Sequence, residues 1–136
     1  MTGIIDAFHL AGAGMRAQGD RLRVVAENIA NADSTSLKAG GDPYRRKTIT
    51  FKNVLDREMG IEKVTVASYG VDSSPFQKKF MPGHPAADAQ GYVLFPNVEP
   101  VVEMVDMQEA QRAYEANVNV IDVTRNMISQ TLGLLK

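Results

Sequence analysis

Two stretches, one at each end of the chain, repeat apolar residues in steps of three and four. From Pro100 to Lys136, the residues Met104, Met107, Gln111, Tyr114, Val118, Ile121, Arg125, Ile128, Leu132 and Leu135 fall on one row. That spacing keeps one stripe of a helix facing one partner, so it predicts a heptad seam and not merely an amphipathic surface. A second row beside it is smaller and more polar: Ala110, Ala113, Asn117, Val120, Thr124, Met127, Thr131 and Leu134. Two adjacent rows predict partners on more than one side. At a rise of roughly 1.5 Å per residue the helix is about 50 Å long. Residues 2–32 carry a matching row of Ile4, Phe8, Ala11, Met15, Gln18, Leu22, Val25, Ile29 and Ala32. Gly12, Gly14 and Gly19 interrupt it, each costing about 1 kcal/mol relative to Ala. They predict a bend or the close approach of a neighbouring backbone.

Between the helices the periodicity changes. Ser34 to Pro43 is small, polar and glycine-rich, and reads as a loop. Tyr44–Phe51, Ile61–Tyr69, Phe76–Met81 and Gly91–Phe95 read as extended pieces, with a short helix or link over Lys52–Met59. Pro82-Gly83-His84-Pro85 reads as a tight turn. Glu99 suits the N-cap position of the last helix and Pro100 its first turn. The expected fold is mainly α with a small β-rich insert. The long N- and C-terminal helices pack as a coiled-coil-like pair in a helical assembly. The expected division is 1–33, 34–97 and 98–136: helix, insert, helix.

Energetics point toward association. A buried Leu, Ile or Met contributes about 1.5–3 kcal/mol, while each ordered residue costs about 1–2 kcal/mol. A lone helix pair roughly breaks even, so the isolated chain is expected to show weak helicity and mobile ends. The stripe residues Ile4, Phe8, Met15, Leu22, Val25, Ile29, Met104, Met107, Tyr114, Val118, Ile121, Ile128, Leu132 and Leu135 are the candidate subunit interface. Gln18, Gln111, Asn117 and Arg125 interrupt the rows. A polar group there can fix register or partner choice.

Composition narrows the chemistry. The net charge of −1 argues against a nucleic-acid partner. Without cysteine the chain has no disulfide, thiolate metal site or Cys nucleophile. His9 and His84 have no further ligands spaced to join them. No nucleophile elbow or phosphate-cradling loop is present. Glu103, Asp106 and Glu109 read as a solvated helix face, and Arg45, Arg46 and Lys47 as a polar strand face. No enzyme, cofactor, metal site or small-molecule substrate emerges. The first residues make a poor secretory signal, so any export would use a route without a cleaved leader.

Two stretches carry a family mark. Ala26-Glu-Asn-Ile-Ala-Asn-Ala-Asp33 resembles the N-terminal signature of the axial proteins of the bacterial flagellum, with Asn28 and Asn31 its asparagines. Arg112-Ala-Tyr-Glu-Ala-Asn117, followed by Val118 to Ile121, resembles their C-terminal signature, through Arg112, Tyr114 and Asn117. Pro82-Gly-His-Pro85, Ala87-Asp-Ala89, Gly91-Tyr-Val93, Phe95-Pro-Asn-Val98 and Val102–Asp106 narrow the resemblance to proximal-rod proteins of the basal body. Ser34–Asp42 departs from the Thr-x-Gly-Tyr-type turn of many axial proteins. The resemblance implies a non-enzymatic rod subunit, exported by the flagellar type III apparatus without a cleaved signal peptide. It implies helical assembly in the periplasm with itself and with other proximal and distal rod proteins, and leaves a contact with the surrounding ring open. Lack of cysteine suits an oxidising space. A soluble adaptor or chaperone that binds a partner's amphipathic helix is the alternative use of the same heptads.

Overall fold

A computed structural model describes residues 2–135. Helix α1 spans Thr2–Ala30 and helix α2 spans Pro100–Leu134. Between them lie β1 (Lys47–Asp56), β2 (Ile61–Val71), β3 (Gln77–Phe80) and β4 (Tyr92–Phe95). β1 pairs with β2, and β3 with β4, as two separate two-stranded sheets. Among the described residues no helix is long and apolar enough to cross a membrane.

The helices form where the periodicity places them. Pro100 opens α2, where its missing N–H would have no helical acceptor. The Glu103 amide closes the first turn onto the Glu99 carbonyl at 3.1 Å. At the other end of the chain, Asn31 closes α1. Its side-chain Nδ2 donates to the Glu27 carbonyl at 2.9 Å, and its Oδ1 accepts from the Ser34 hydroxyl at 3.0 Å.

The first sheet is longer than the pattern suggests. β1 starts at Lys47 instead of Tyr44 and runs through Lys52 to Asp56, so no helix forms there. A turn at Gly60 (φ 68°) joins it to β2, and the Gly60 amide donates to the Asp56 carbonyl at 2.7 Å. In the second sheet Gln77 pairs with Phe95 and Phe80 with Tyr92. Its Val93 and Phe95 pack with Ala86 in the small apolar core beneath it. Gly91 has φ 87°, and a β-carbon there would fall 2.9 Å from the Phe80 ring, so only glycine fits.

The chain condenses into two compact units. One takes the chain up to Leu22, then Thr50–Ser68, then the chain from Gln108 onward; the other takes Arg23–Ile49 and Tyr69–Met107. In the first unit the helices meet at Gly14 and Asn117, while Ala13 and Ala17 line a recess with Val54, Val64 and Val66 of the first sheet. Ala11, Ala13, Gly14 and Ala17 are buried on α1, and Ala110 and Thr124 on α2. A β-carbon on Gly14 would lie 2.7 Å from Nδ2 of Asn117, which explains this glycine. Arg21 reaches Glu109 at 3.4 Å. Contacts at 14 with 117 and at 21 with 109 run in opposite chain directions, so the segments pass antiparallel. Gly19 meets no such neighbour, and Gly12 only the tip of Arg16.

Candidate functional site

In the second unit, four chain segments converge on a buried polar junction. Asn28, on the last turns of α1, is 1% exposed. Its side-chain amide pairs with the Lys47 peptide as a neighbouring strand would. Nδ2 donates to the Lys47 carbonyl at 2.9 Å, and Oδ1 accepts from the Lys47 amide at 2.8 Å. Oδ1 also accepts from the Tyr44 hydroxyl at 2.6 Å, and Nδ2 reaches Oε2 of Glu103 at 3.5 Å. Every hydrogen-bonding position of this amide is therefore used.

Glu103 is the second centre. It lies in the opening turns of α2 and is fully buried. Arg46, just ahead of β1, donates Nε to Oε1 of Glu103. The remaining guanidinium nitrogens reach Asp72 at 3.5 Å and Asp106 at 3.7 Å. Burial works against a charged Arg46, but the hydrogen bond and negative charge of Glu103, with Asp72 and Asp106, outweigh it and hold its pKa above the ordinary value. The Asp72 carboxyl lies below the usual range, chiefly because the Ser74 hydroxyl and amide donate to it, with Arg46 adding charge. Asn97 closes the cluster. Its Oδ1 accepts from the Arg46 amide at 2.8 Å, and its Nδ2 donates to the carbonyls of Asp72 and Ser74. Burial first, and nearby carboxylates second, raise the Tyr44 phenol.

This geometry corrects two sequence readings. Glu103 does not belong to a solvated face with Asp106 and Glu109, because Arg46 folds over it and removes it from water. Arg46 is not part of a strand face, because the strand begins one residue later. Arg45 also turns inward, donating to the carbonyls of Asp72 and Ser74 and lying 4.1 Å above the Phe76 ring. Tyr44, Arg46, Asn97 and Glu103 were absent from the candidate residues. The available signal was the two asparagines and the Val102–Asp106 run in the family motifs.

The helix stripes are covered unevenly. On α1, Val25 is buried, and Ile4, Phe8, Met15, Leu22 and Ile29 are half-buried. On α2 no member of the apolar row is buried. Met107, Tyr114, Val118, Ile121 and Ile128 are half-buried, while Met104, Leu132 and Leu135 are exposed. Gln111, Arg112 and Arg125 are exposed too. The buried line on α2 is Glu103, Ala110 and Thr124, with half-buried Asn117 between, in steps of seven. Asn117 and Thr124 send their polar atoms back to the carbonyls of Ala113 and Val120 at 3.0 and 2.6 Å. Of the polar interruptions, Gln18 is half-buried, and its Oε1 is the buried side-chain atom without a hydrogen-bond partner among the described residues.

A motif junction of this kind, on a chain with both ends helical, invites comparison with known proteins. A family model described as the C-terminal part of flagellar basal body rod proteins FlgE, FlgF and FlgG matches residues 89–134. The flagellar basal-body rod protein FlgC of Agrobacterium fabrum is 51% identical over 136 residues, covering 100% of this chain and 98% of the relative. The chain belongs to the FlgC family of flagellar basal-body rod proteins. FlgC of Salmonella typhimurium is 40% identical over 131 residues, covering 96% of this chain and 97% of its own length. FlgC of Borreliella burgdorferi is 40% identical over 152 residues, covering 98% and 99%. Likeness to the FlgC relatives thus runs through α1, both sheets and α2. The family-model match takes in Glu103 and the Arg112–Asn117 motif but begins after Asn28.

Proposed function

We propose that this chain is a structural subunit of the proximal rod of the bacterial flagellar basal body. It assembles helically with copies of itself and with other proximal and distal rod proteins. The assembled tube serves as drive shaft and export channel and transmits torque through many shallow helix contacts acting in parallel. The chain reaches the periplasm through the flagellar export apparatus without a cleaved leader. The N- and C-terminal helices pair in the manner of a coiled coil and form the inner layer, with the insert 34–97 outward.

One observation carries this reading beyond the family relationship. Val101, Met104, Val105, Val123, Leu132 and Leu134 of α2, and Leu135 just after it, are each at least half exposed. Scattered apolar side chains are normal on a surface, but a series along one helix marks a place for partners. A rod offers such partners on several sides. A soluble adaptor would instead give a small complex of fixed size.

Replacing Ile121 or Ile128 with Asp tests the proposal. Either change puts an unpaired charge on a half-buried stripe position. Cells carrying only the variant are expected to be non-motile, with basal bodies arrested at the rod by electron microscopy. Normal swimming would overturn the reading.

A further inference from the structure

We infer that Leu37 and Lys38 of one copy dock into an apolar recess on the next copy, floored by Phe95 and Val98 and rimmed by Asp33 and Glu99. This rests on the rod reading above and names a contact within it. Leu37 is 98% exposed, more than any other large apolar side chain described. Yet its loop is pinned. The Gly40 amide donates to the Ala86 carbonyl at 3.1 Å, Lys38 to the Ser36 hydroxyl at 3.0 Å, and Tyr44 to the Ser34 carbonyl at 3.0 Å. Gly40 holds φ 69°, and a β-carbon on Gly41 would fall 2.1 Å from Ser36 Oγ. The tip is therefore presented in one place and loses little freedom on binding.

The recess has the complementary character. It measures about 270 Å³ and is lined by Ala32, Phe95, Val98, Pro100 and Val101 among others. Val98 is 3% exposed at its floor and Val101 75% exposed at its lip. Asp33 and Glu99 line it, exposed and with no ion-pair partner among the described residues. Lys79 lines it too, but its ammonium lies 4.3 Å over the Phe95 ring. A Leu-Lys tip thus meets an apolar floor with carboxylates at the edge, and Lys38 is itself exposed, with no ion-pair partner among the described residues. Tip and recess are different surfaces of one chain. Where two copies do not exchange it reciprocally, such a contact is head-to-tail and propagates along a polymer.

The absence of native cysteine makes the test direct. Leu37→Cys and Val101→Cys chains, differently tagged, are produced together in flagellated cells and oxidised. The expected product is a disulfide dimer containing both tags. Lys38→Glu in the first chain should lower its yield about tenfold, and Glu99→Lys in the second should restore it. A yield no higher than that of Leu37→Cys with an exposed Thr50→Cys control overturns the contact. A Leu37→Ser strain that assembles rods and swims normally overturns this contact alone, because the rod reading stands or falls with Ile121→Asp.

Discussion

Near its start α2 buries a carboxylate, and near its end it exposes leucines. Glu103 is held by Arg46 and Asn28, with Asp72, Asp106 and Asn97 bonded around them. Leu132, Leu134 and Leu135 are 53%, 87% and 78% exposed. Directional bonds between charged and amide groups specify one arrangement within a single chain, because an unpaired buried charge is costly. Exposed apolar stripes specify only that some apolar surface must come. The junction sets the chain's own geometry, while the stripe leaves the choice of neighbour to the assembly.

The contrast can be broken most sharply at Arg46. Arg46→Met leaves Glu103 buried without its cation, at about 3–5 kcal/mol. A urea titration of the purified chain should show that loss, and an unchanged midpoint would show the junction to be incidental. Next in size is Asn28→Ala, which strands the Lys47 peptide and the Tyr44 hydroxyl, for about 2–3 kcal/mol by the same titration. A smaller effect is expected in the first unit. Gly14→Ala gains about 1 kcal/mol of helix propensity but presses a methyl into Asn117, for a net loss of about 1 kcal/mol. Combined with Asn117→Ala, the change should turn stabilising; a double-mutant cycle in thermal melts reads the sign.

The mildest prediction concerns pH. Lys47 holds the Glu27 carboxyl below its ordinary range by hydrogen bond and charge, as Ser74 and Arg46 do for Asp72. A depressed carboxylate stabilises the fold above its unfolded pKa and loses that contribution as pH falls through the folded value. Stability should therefore be level at neutral pH and fall only below the usual carboxylate range. Lys47 is raised, chiefly by its bond to Glu27, so its share persists until the pH climbs past the ordinary lysine range. Both partners are surface groups, so the slopes are shallow. A decline beginning near neutrality would point to a different titrating group.

Much of this organisation was legible in the sequence. Apolar spacing located both helices, and Pro100 and the Asn31–Ser34 cap marked their ends within two residues. The α1 row came out buried or half-buried throughout, with Ala11 and Val25 its fully buried members. The α2 row did not, since its most covered line runs one residue earlier, through Glu103, Ala110, Asn117 and Thr124. Close packing there selects small side chains over apolar ones. An Asn or Thr that bonds its own helix carbonyl packs much as Ala does. The junction was less visible still. Arg46 and Glu103 are separated by 57 positions, and neither periodicity nor local propensity couples residues that far apart.

The order of Arg46's partners along the chain also sets a schedule. Asp72 follows it by 26 positions, Asn97 by 51 and Glu103 by 57. A chain released from its N-terminus, whether from a ribosome or through a narrow conduit, brings Asn28 and Arg46 out long before their last anchors. Until the first turns of α2 emerge, the junction has a cation and an amide but no Glu103 to receive them. Closure of such distant pairs is delayed by the loop that must be gathered. The junction thus locks only once most of the chain is free to fold.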